Sequence, residues 1–374
     1  MKSKFARVLL CAAFLAMLFL PGLIWPLVGK SLEGPNLEKR ELAEWPAFSL
    51  SEIEDLPGKI EKYYRDHLPF REQLISAYAR LNKAAFDDCV VTTVLFGKDG
   101  WYFYNNANDG NPVASYRGED LFTSAELRQI VIDLRRTRDN LKKQGIDFVL
   151  FIAPNKERVY PEYMPERYGV PAEDYAARQL VDFLRAHSDL RVVYVYDEIM
   201  QAKADFSDYP IYYSSDTHWN DIGAYVGARA LLRELGVQIP ALAREAIHPT
   251  GAVCTGDLTV LSHLYTVGEG DPVYTVADAG RPAVSMEMEP DMRWLRAQGE
   301  EQGQRLFIKH DSFAAGMVPY LIPWFSQTTT YTNALYDMAQ VDEARPDVFV
   351  QVCVERYVRQ QLTKGPLYLP PEER

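Results

Sequence analysis

The sequence predicts a doubly wound α/β domain on three observations. From Ser124 onward, amphipathic helical stretches alternate with short apolar runs. Those runs, Ile146–Ala153 above all, lack a polar face, as parallel strands covered by helices on both sides do. The helical stretches are long enough, at roughly ten to twenty residues, to carry the chain back to the start of the next parallel strand. With 374 residues, 47% of them hydrophobic and 25% charged, the chain can bury a substantial core.

The elements follow in order. Lys2, Lys4 and Arg7 precede an uncharged run from Val8 to Val28, which as a helix spans roughly 30 Å, a bilayer core. The basic flank predicts a cytoplasmic N-terminus and an exported remainder. A cleaved signal peptide with Val8–Leu20 as its apolar region is the alternative. Leu27-Val28-Gly29 offers no small-x-small cleavage site, which favours a retained anchor over residues 1–29. The expectation is a single-pass protein of the cell membrane with its main domain extracytoplasmic.

Residues 30–120 read as a juxtamembrane linker (Leu37–Leu42, then Trp45-Pro46), a helical cap and a hairpin. Ile53, Leu56, Ile60, Tyr63 and Tyr64 recur at helical spacing between Ser51 and about Phe86, with a break at Leu68-Pro69 before Arg71–Leu81. Val90–Phe96 and Trp101–Tyr104 flank Gly97-Lys98-Asp99-Gly100, whose Asp-Gly pair supplies the positive-φ turn of a β-hairpin.

Residues 121–374 form the α/β domain. Helices are expected over Ala125–Lys143, Ala172–Ala186 and Asn220–Leu235, and strands over Ile146–Ala153, Arg191–Tyr196, Arg305–Ile308 and Asp347–Val354. The less regular stretch near 240–303, with its Gly-Glu-Gly turn and Glu-Met-Glu, reads as an insertion with short strands.

Composition excludes several functions. Removing the first 29 residues and their three basic side chains leaves 37 basic against 52 acidic groups, −15 on the remaining 345 residues. A nucleic-acid partner is therefore not expected, and a polyanionic acceptor would need a local basic groove. Outside the apolar run only Cys89, Cys254 and Cys353 remain, which permits at most one intramolecular disulfide; unpaired, buried cysteines are the plainer reading. His67, His187, His248 and His263 show no i, i+4 pairing with one another or with cysteine, so no metal site is expected, and no cofactor. The 23 Tyr and six Trp could in part line a sugar-binding groove, although ordinary half-buried surface rings account for most of them.

In such sheets, sites gather beyond the carboxyl ends of strands. Two segments qualify. In Tyr212-Tyr213-Ser214-Ser215-Asp216-Thr217-His218-Trp219-Asn220, Asp216 and His218 project to one side of an extended chain, so the carboxylate can hold one imidazole nitrogen while the other faces a substrate. In Phe307–Gly316, a strand ends and a helix begins at Ser312, where helix-start amides can stabilise an oxyanion. A serine hydroxyl needs a base, so His218 with Asp216 would complete a nucleophilic site. Taken singly, Ser312 reads as a helix cap and Asp216-x-His218 as structural or half of a metal site.

These motifs, with the Phe96–Tyr104 hairpin and the Ala153-Pro154-Asn155-Lys156 turn, resemble the SGNH-hydrolase-like domain of the alginate O-acetyltransferase family over roughly Asn36–Tyr357. The resemblance implies a flavodoxin-like fold with a circularly permuted order, Asp-x-His before Ser. It implies Ser312 as nucleophile, His218 as base and Asp216 as its partner. Asn155, Lys156, Phe313 and Trp219 become oxyanion or substrate contacts, with a polar turn as the plain alternative for the first two. Gly256-Asp257-Leu258 resembles another block of the family, or is simply a helix start capped by Asp257. The implied activity is transfer of acetyl to a hydroxyl of an exported polysaccharide through an acetyl-serine, beside a multi-spanning membrane-bound O-acyltransferase that supplies the acyl group. His310 departs from the family pattern, standing where related serine blocks have Gly. An esterase or deacetylase with the same triad, and a non-catalytic glycan-binding or assembly component, remain alternatives.

Overall fold

The computed structural model describes residues 2–28, 41–48, 53–68, 70–266, 268–277, 285–288, 294–299 and 303–374. Leu37–Arg40 of the expected linker, Ser51 and Pro69 of the helical cap, and Glu289 of the Glu-Met-Glu stretch lie outside them. The chain divides into two compact units, residues 1–91 with 259–265 and residues 92–258 with 266–374.

The first unit holds α1 (Lys2–Val28), α2 (Leu56–Asp66) and α3 (Arg71–Phe86). The break between α2 and α3 falls where Leu68-Pro69 predicted it, and Phe70 turns the chain with a left-handed φ of 60°. Buried Asp66 accepts from the Ala43 amide at 2.9 Å, and Trp45 packs edge-on against Tyr63 with centroids 5.1 Å apart. The expected anchor folds as a helix of 27 residues. Among the described residues no helix is long and apolar enough to cross a membrane, so the anchor stands on the sequence.

The second unit opens with a hairpin of β1 (Val94–Phe96) and β2 (Tyr102–Tyr104), turned by Asp99 (φ 52°) and Gly100 (φ 79°). The hairpin belongs to this unit: the Tyr102 amide donates to the Ser214 carbonyl at 2.8 Å, and Trp101 stacks on Tyr163. There follow α4 (Pro112–Tyr116), α5 (Ser124–Lys143), β3 (Asp147–Ala153), α6 (Lys156–Val159), α7 (Ala176–His187), β4 (Arg191–Tyr194), α8 (Tyr196–Asp205) and α9 (Asp221–Glu234). Next come β5 (Ile247–Cys254), α10 (Asp257–Leu261, of which residues 259–261 belong to the first unit), β6 (Asp271–Val276), β7 (Ser285–Met288), β8 (Trp294–Gln298) and β9 (Arg305–His310). The chain ends with α11 (Ala314–Leu321), β10 (Gln327–Thr332), α12 (Met338–Ala344), β11 (Val348–Val354) and α13 (Val358–Leu362). Local chemistry sets the boundaries. Thr123 and Glu126 form a reciprocal capping box that starts α5, and the Asn220 side chain accepts from the Ile222 and Gly223 amides to start α9.

The main sheet runs β4-β3-β11-β9-β10-β8-β7. The first five strands are parallel; β8 is antiparallel to β10, and β7 to β8. This corrects the expectation of an all-parallel sheet. The stretch read as an insertion sends β7 and β8 to the sheet's edge, where they pair antiparallel. It also supplies a separate antiparallel pair, β5 with β6.

Side chains alternate between two cores at the strand period of two. Val149, Phe151 and Ala153 of β3 and Val350, Val352 and Val354 of β11 pack on one face with residues of α9 and α11. Phe148, Leu150 and Ile152, with Phe349 and Cys353, pack on the other with residues of α5, α7 and α13. The sheet is covered on both sides, as the unbroken apolar runs required.

Candidate active site

Three neighbouring strands, β11, β9 and β10, end at the same edge of the sheet, and Asp311 decides what happens there. Its Oδ2 accepts from the Val354 amide (2.7 Å), tying the end of β9 to β11, and its Oδ1 accepts from the Phe313 amide (3.1 Å), shaping the turn. Ser312 is thereby presented at the carboxyl edge, just before α11. The reading of Ser312 as a helix cap does not hold, since Phe313 occupies the N-cap position with no side-chain cap bond. The Ser312 amide has no acceptor among the described residues and stays available to an oxyanion.

The Asp216–His218 segment does not follow a sheet strand, contrary to expectation. It is a tight loop between α8 and α9, closed by a single bridge from Tyr212 to Trp219 and by the Tyr213 amide donating to the His218 carbonyl. The strand-like residues around Tyr212 pair within their own loop, so no sheet position is needed. The loop is pinned from outside. The Lys156 ammonium donates to the carbonyls of Tyr213, Ser214 and Asp216 at 3.2, 3.0 and 2.6 Å. Asp271 accepts from the amides and hydroxyls of both Ser214 and Ser215. Gly256 lies so close that an added Cβ would sit 2.0 Å from the Ser215 carbonyl oxygen.

Trp219 Nε1 donates to the Phe313 carbonyl at 3.1 Å and joins the two segments. As a result the Ser312 Oγ lies 2.6 Å from His218 Nε2, and His218 Nδ1 lies 2.6 Å from Asp216 Oδ1. The remaining oxygen of Asp216 accepts from the Asp257 amide at 2.8 Å. With Nδ1–H donating to a carboxylate, Nε2 is left as the acceptor facing the serine hydroxyl, the tautomer a general base needs. The His218 side chain keeps 26% of its surface exposed, so the serine–imidazole contact is reachable from solvent.

Electrostatics support that state. Burial works to raise Asp216, but the hydrogen bond and charge of His218, with the amides of Asp257 and His218, outweigh it and hold the carboxyl at about 2. Burial likewise works to lower His218, yet the hydrogen bond to Asp216 and the charges of Asp216 and Asp257 leave it raised, with Arg356 opposing. Asp257 was only a weak candidate in the sequence. It accepts from the Thr217 amide and hydroxyl at 2.8 and 2.7 Å, and its Oδ2 stands 3.8 Å from His218 Nδ1 as a second acid behind the imidazole. Its place in the Gly256-Asp257-Leu258 block was the available signal. For Asp271 the sequence carried none.

The four expected contacts are placed as follows. Lys156 is buried, with its ammonium above the Trp101 and Phe103 rings and all three donors on loop carbonyls; it shapes the site and cannot reach a substrate. Burial lowers it to about 8 against the pull of Glu157 and the three aspartates 216, 257 and 271. Asn155 is buried too, its amide donating to Glu355 and its Oδ1 accepting from the Arg356 amide. Phe313 and Trp219 are buried with centroids 5.2 Å apart, and lock the two segments together.

At His310, where the family pattern has glycine, the backbone keeps a negative φ. The residue is the last of β9 and donates from Nδ1 to the Asp311 carbonyl at 2.7 Å, buried. The cysteines are unpaired, with Cys353 buried, and Cys254 is pushed up to about 12 by burial and by Asp216, Asp271 and Asp257.

Asp216, His218 and Asp257 also place one ligand atom each within 4.8 Å of one another, near enough to hold a metal ion. Their lone pairs are already engaged by the Asp257 and Thr217 amides, the Thr217 hydroxyl and the imidazole N–H, an arrangement that suits a hydrogen-bonded acid–base unit. Ser312 opens onto a cleft of about 490 Å³, also lined by His310, Asn333, Tyr357, Gln361 and Lys364.

Residues 94–270 match the family model of the SGNH hydrolase-like domain of the acetyltransferase AlgX, a span that includes Asp216 and His218 but not Ser312. The motif resemblance is therefore upheld by an independent comparison. The chain is 26% identical over 278 residues to the probable alginate O-acetylase AlgJ of Pseudomonas syringae pv. tomato, covering 73% of this chain and 63% of that protein. It is 28% identical over 192 residues to the AlgJ of Pseudomonas putida, covering 49% and 45%. The chain thus spans less than two thirds of the length of these relatives. The structure of Bacillus cereus PatB1 superposes on 73% of this chain and 99% of its own with a TM-score of 0.55 at 15% identity, a likeness of fold.

Proposed function

We propose that this chain, a relative of the alginate O-acetylases carrying the SGNH hydrolase-like domain of AlgX-type acetyltransferases, is an O-acetyltransferase acting on a polysaccharide through an acetyl-serine. The observation that carries the reading is the continuous line Ser312–His218–Asp216, with both contacts at 2.6 Å. His218 Nε2 takes the Ser312 proton as Oγ attacks the carbonyl carbon of an acetyl ester. The carbonyl π electrons move to oxygen, which faces the free Ser312 amide. Collapse restores the carbonyl, breaks the bond to the donor's oxygen and returns the proton to it. A sugar hydroxyl then repeats the sequence in reverse, giving its proton to His218 and taking the acetyl.

Asp216 holds the imidazole in register and balances its charge. Asp257 raises the basicity of His218 further. The base works neutral, so acylation falls as pH drops through a His218 value above the ordinary 6.5. Asp257→Asn keeps the shape and removes one of the charges raising that value. The acid limb of the pH–rate curve should then move to lower pH; a curve that stays put, or moves up, removes Asp257 from this role.

The test of the activity is to incubate the full chain with an activated acetyl ester, look for acetyl on Ser312 by mass spectrometry, and add an oligosaccharide. Acetyl appearing on the sugar supports transfer. Acetate released to water at the same rate with and without sugar identifies an esterase instead. The Val8–Val28 run and its basic flank further support a cell-membrane anchor with the α/β unit extracytoplasmic, where a multi-spanning O-acyltransferase would supply acetyl groups. A reporter fused after Arg374 should be active only on the outer side of the membrane, and release of the chain by an alkaline carbonate wash would exclude the anchor.

A further inference from the structure

Asp109 puts a charge in the catalytic cleft that the triad does not use. It is half-buried on the loop between β2 and α4 and lines the cleft of about 490 Å³ into which Ser312 opens. The loop is fixed from within by Asn106, whose carbonyl accepts from the Asp109 and Asn111 amides at 3.1 and 3.0 Å. It also lies hard against the residues that follow β11: Gly110 takes a φ of 74°, and an added Cβ there would stand 2.8 Å from the Arg356 carbonyl oxygen.

The carboxylate is clamped on one side. Tyr104 and Tyr357 both donate their hydroxyls to Oδ2, each at 2.8 Å. Both phenols keep their protons, since burial raises Tyr357 and, with the help of Asp109, pushes Tyr104 up to about 12. The Arg356 guanidinium stands 5.8 and 4.9 Å from the ring centres of Tyr104 and Tyr357, and 5.3 Å from that of Phe313, the residue after the nucleophile. The clamp and the nucleophile's turn thus share one buried cation. Oδ1 is left open. It is not buried, it has no donor among the described residues, and no Lys or Arg among them pairs with the carboxylate.

The other charges of the lining are engaged or loose. Asp311 has both oxygens on backbone amides, and Lys364 is exposed, an ammonium on a flexible stem that solvent and salt screen. Tyr357 and Gln360 also line the cleft, a flat ring for the apolar face of a pyranose and an amide for its hydroxyls.

We propose that Asp109 selects the acceptor: its Oδ1 accepts from a hydroxyl of an uncharged sugar unit, and its fixed charge turns uronate units away. The inference rests on the acetyl-serine reading above. One hydroxyl of the glycan bonds to the acetyl carbon and gives its proton to His218, and Ser312 Oγ departs and takes that proton, while Asp109 holds a different hydroxyl of the same glycan. A hydrogen bond to an ionised acceptor is about twice as strong as one between neutral groups. A carboxylate brought up to a carboxylate is repelled.

The test offers acetylated full chain a neutral oligoglucan or an oligouronate of the same length. The wild type should transfer to the oligoglucan with the higher kcat/KM. Asp109→Asn reverses the polarity of the open atom: Tyr104 already accepts from Asn106 Nδ2 at 3.1 Å, so its proton still needs an oxygen, and the NH₂ group turns to the cleft. The ratio of kcat/KM for oligoglucan over oligouronate should then fall about tenfold. A purely structural Asp109 would lower both alike and leave the ratio in place. A wild-type preference for the oligouronate, or an unchanged ratio in Asp109→Asn, overturns the proposal.

Sulfonylation of Ser312 by a sulfonyl fluoride is measured alongside. There the Oγ–S bond forms, S–F breaks, and the proton leaves with fluoride. A wild-type chain that is sulfonylated but accepts acetyl from no donor would end the acetyl-serine reading. Calorimetric binding of the two oligosaccharides to the wild type and to Asp109→Asn would then decide the role of Asp109 by itself, with the same fall in the ratio of affinities expected and an unchanged ratio overturning it.

Discussion

Ser312→Ala should form no acetyl-enzyme and transfer no acetyl, while unfolding within a degree or two of the wild type. The hydroxyl makes one hydrogen bond, to His218, at a partly open site, so its removal costs at most about 1 kcal/mol of stability. Its removal from the reaction is total. Without Oγ there is no atom to which acetyl can bond, and the remaining oxyanion donors and binding groups supply only a residual acceleration. His218→Ala should fall nearly as far, by about 10⁶ in rate, because nucleophile and base act as a unit whose members are not additive. Asp216→Asn should cost about 10⁴, since it leaves the imidazole in place but favours the wrong tautomer. Normal acetylation by either Ser312→Ala or His218→Ala, measured on purified protein of confirmed fold, would refute the mechanism outright.

Gly256→Ala should impair both stability and activity, although residue 256 is not a member of the triad. The added methyl would stand 2.0 Å from the Ser215 carbonyl oxygen and 2.6 Å from the Asp216 amide nitrogen. Both are backbone atoms of the loop that carries the base, so no side chain can rotate aside. Overpacking of this kind costs about 1–3 kcal/mol. The loop can escape only by moving away from Lys156 and Asp271, which hold it on its other sides. A displacement of about 1 Å at a reacting group is worth about 10²-fold in rate. The two readouts are a lower unfolding temperature and a slower sulfonylation of Ser312. An alanine variant with wild-type values for both would show that the loop is not held as tightly as its contacts indicate.

Much of the site could be read before any coordinates. Asp216 and His218 sit two apart in a polar stretch that opens a helix, and Ser312 follows the apolar run Leu306–Ile308 by only Lys309-His310-Asp311. Those patterns are local, and local chemistry is written in order along the chain. The contacts that hold the site together are not. Lys156 reaches across 57 to 60 positions to the loop carbonyls, and Asp271 across 56 and 57 to the serines. Such partners are chosen by burial and by unmet hydrogen-bonding needs of the backbone, neither of which has a sequence period.

The strand β10 escaped detection for a related reason. Thr328, Thr329 and Thr330 look polar in the sequence, yet they are buried in the sheet, where the β-branched shape decides and the hydroxyl is secondary. Lys309 and Lys156 were deceptive in the opposite way. A lysine ordinarily marks surface, and both are buried here because fixed oxygen acceptors surround the ammonium.

The sequence by itself determined the alternation of helices and strands, the apolar runs that make a two-sided sheet, and the identity of three groups fit to act as nucleophile, base and the acid that orients the base. Only the tertiary structure decided that those groups meet. It also decided that the base rides on a loop instead of a strand end, and that the buried ammonium of Lys156 holds the carbonyls of that loop. The division has a physical cause. Periodicity and reactivity belong to residues and their near neighbours, whereas a 2.6 Å contact across 94 positions exists only once packing has removed the chain's other conformations.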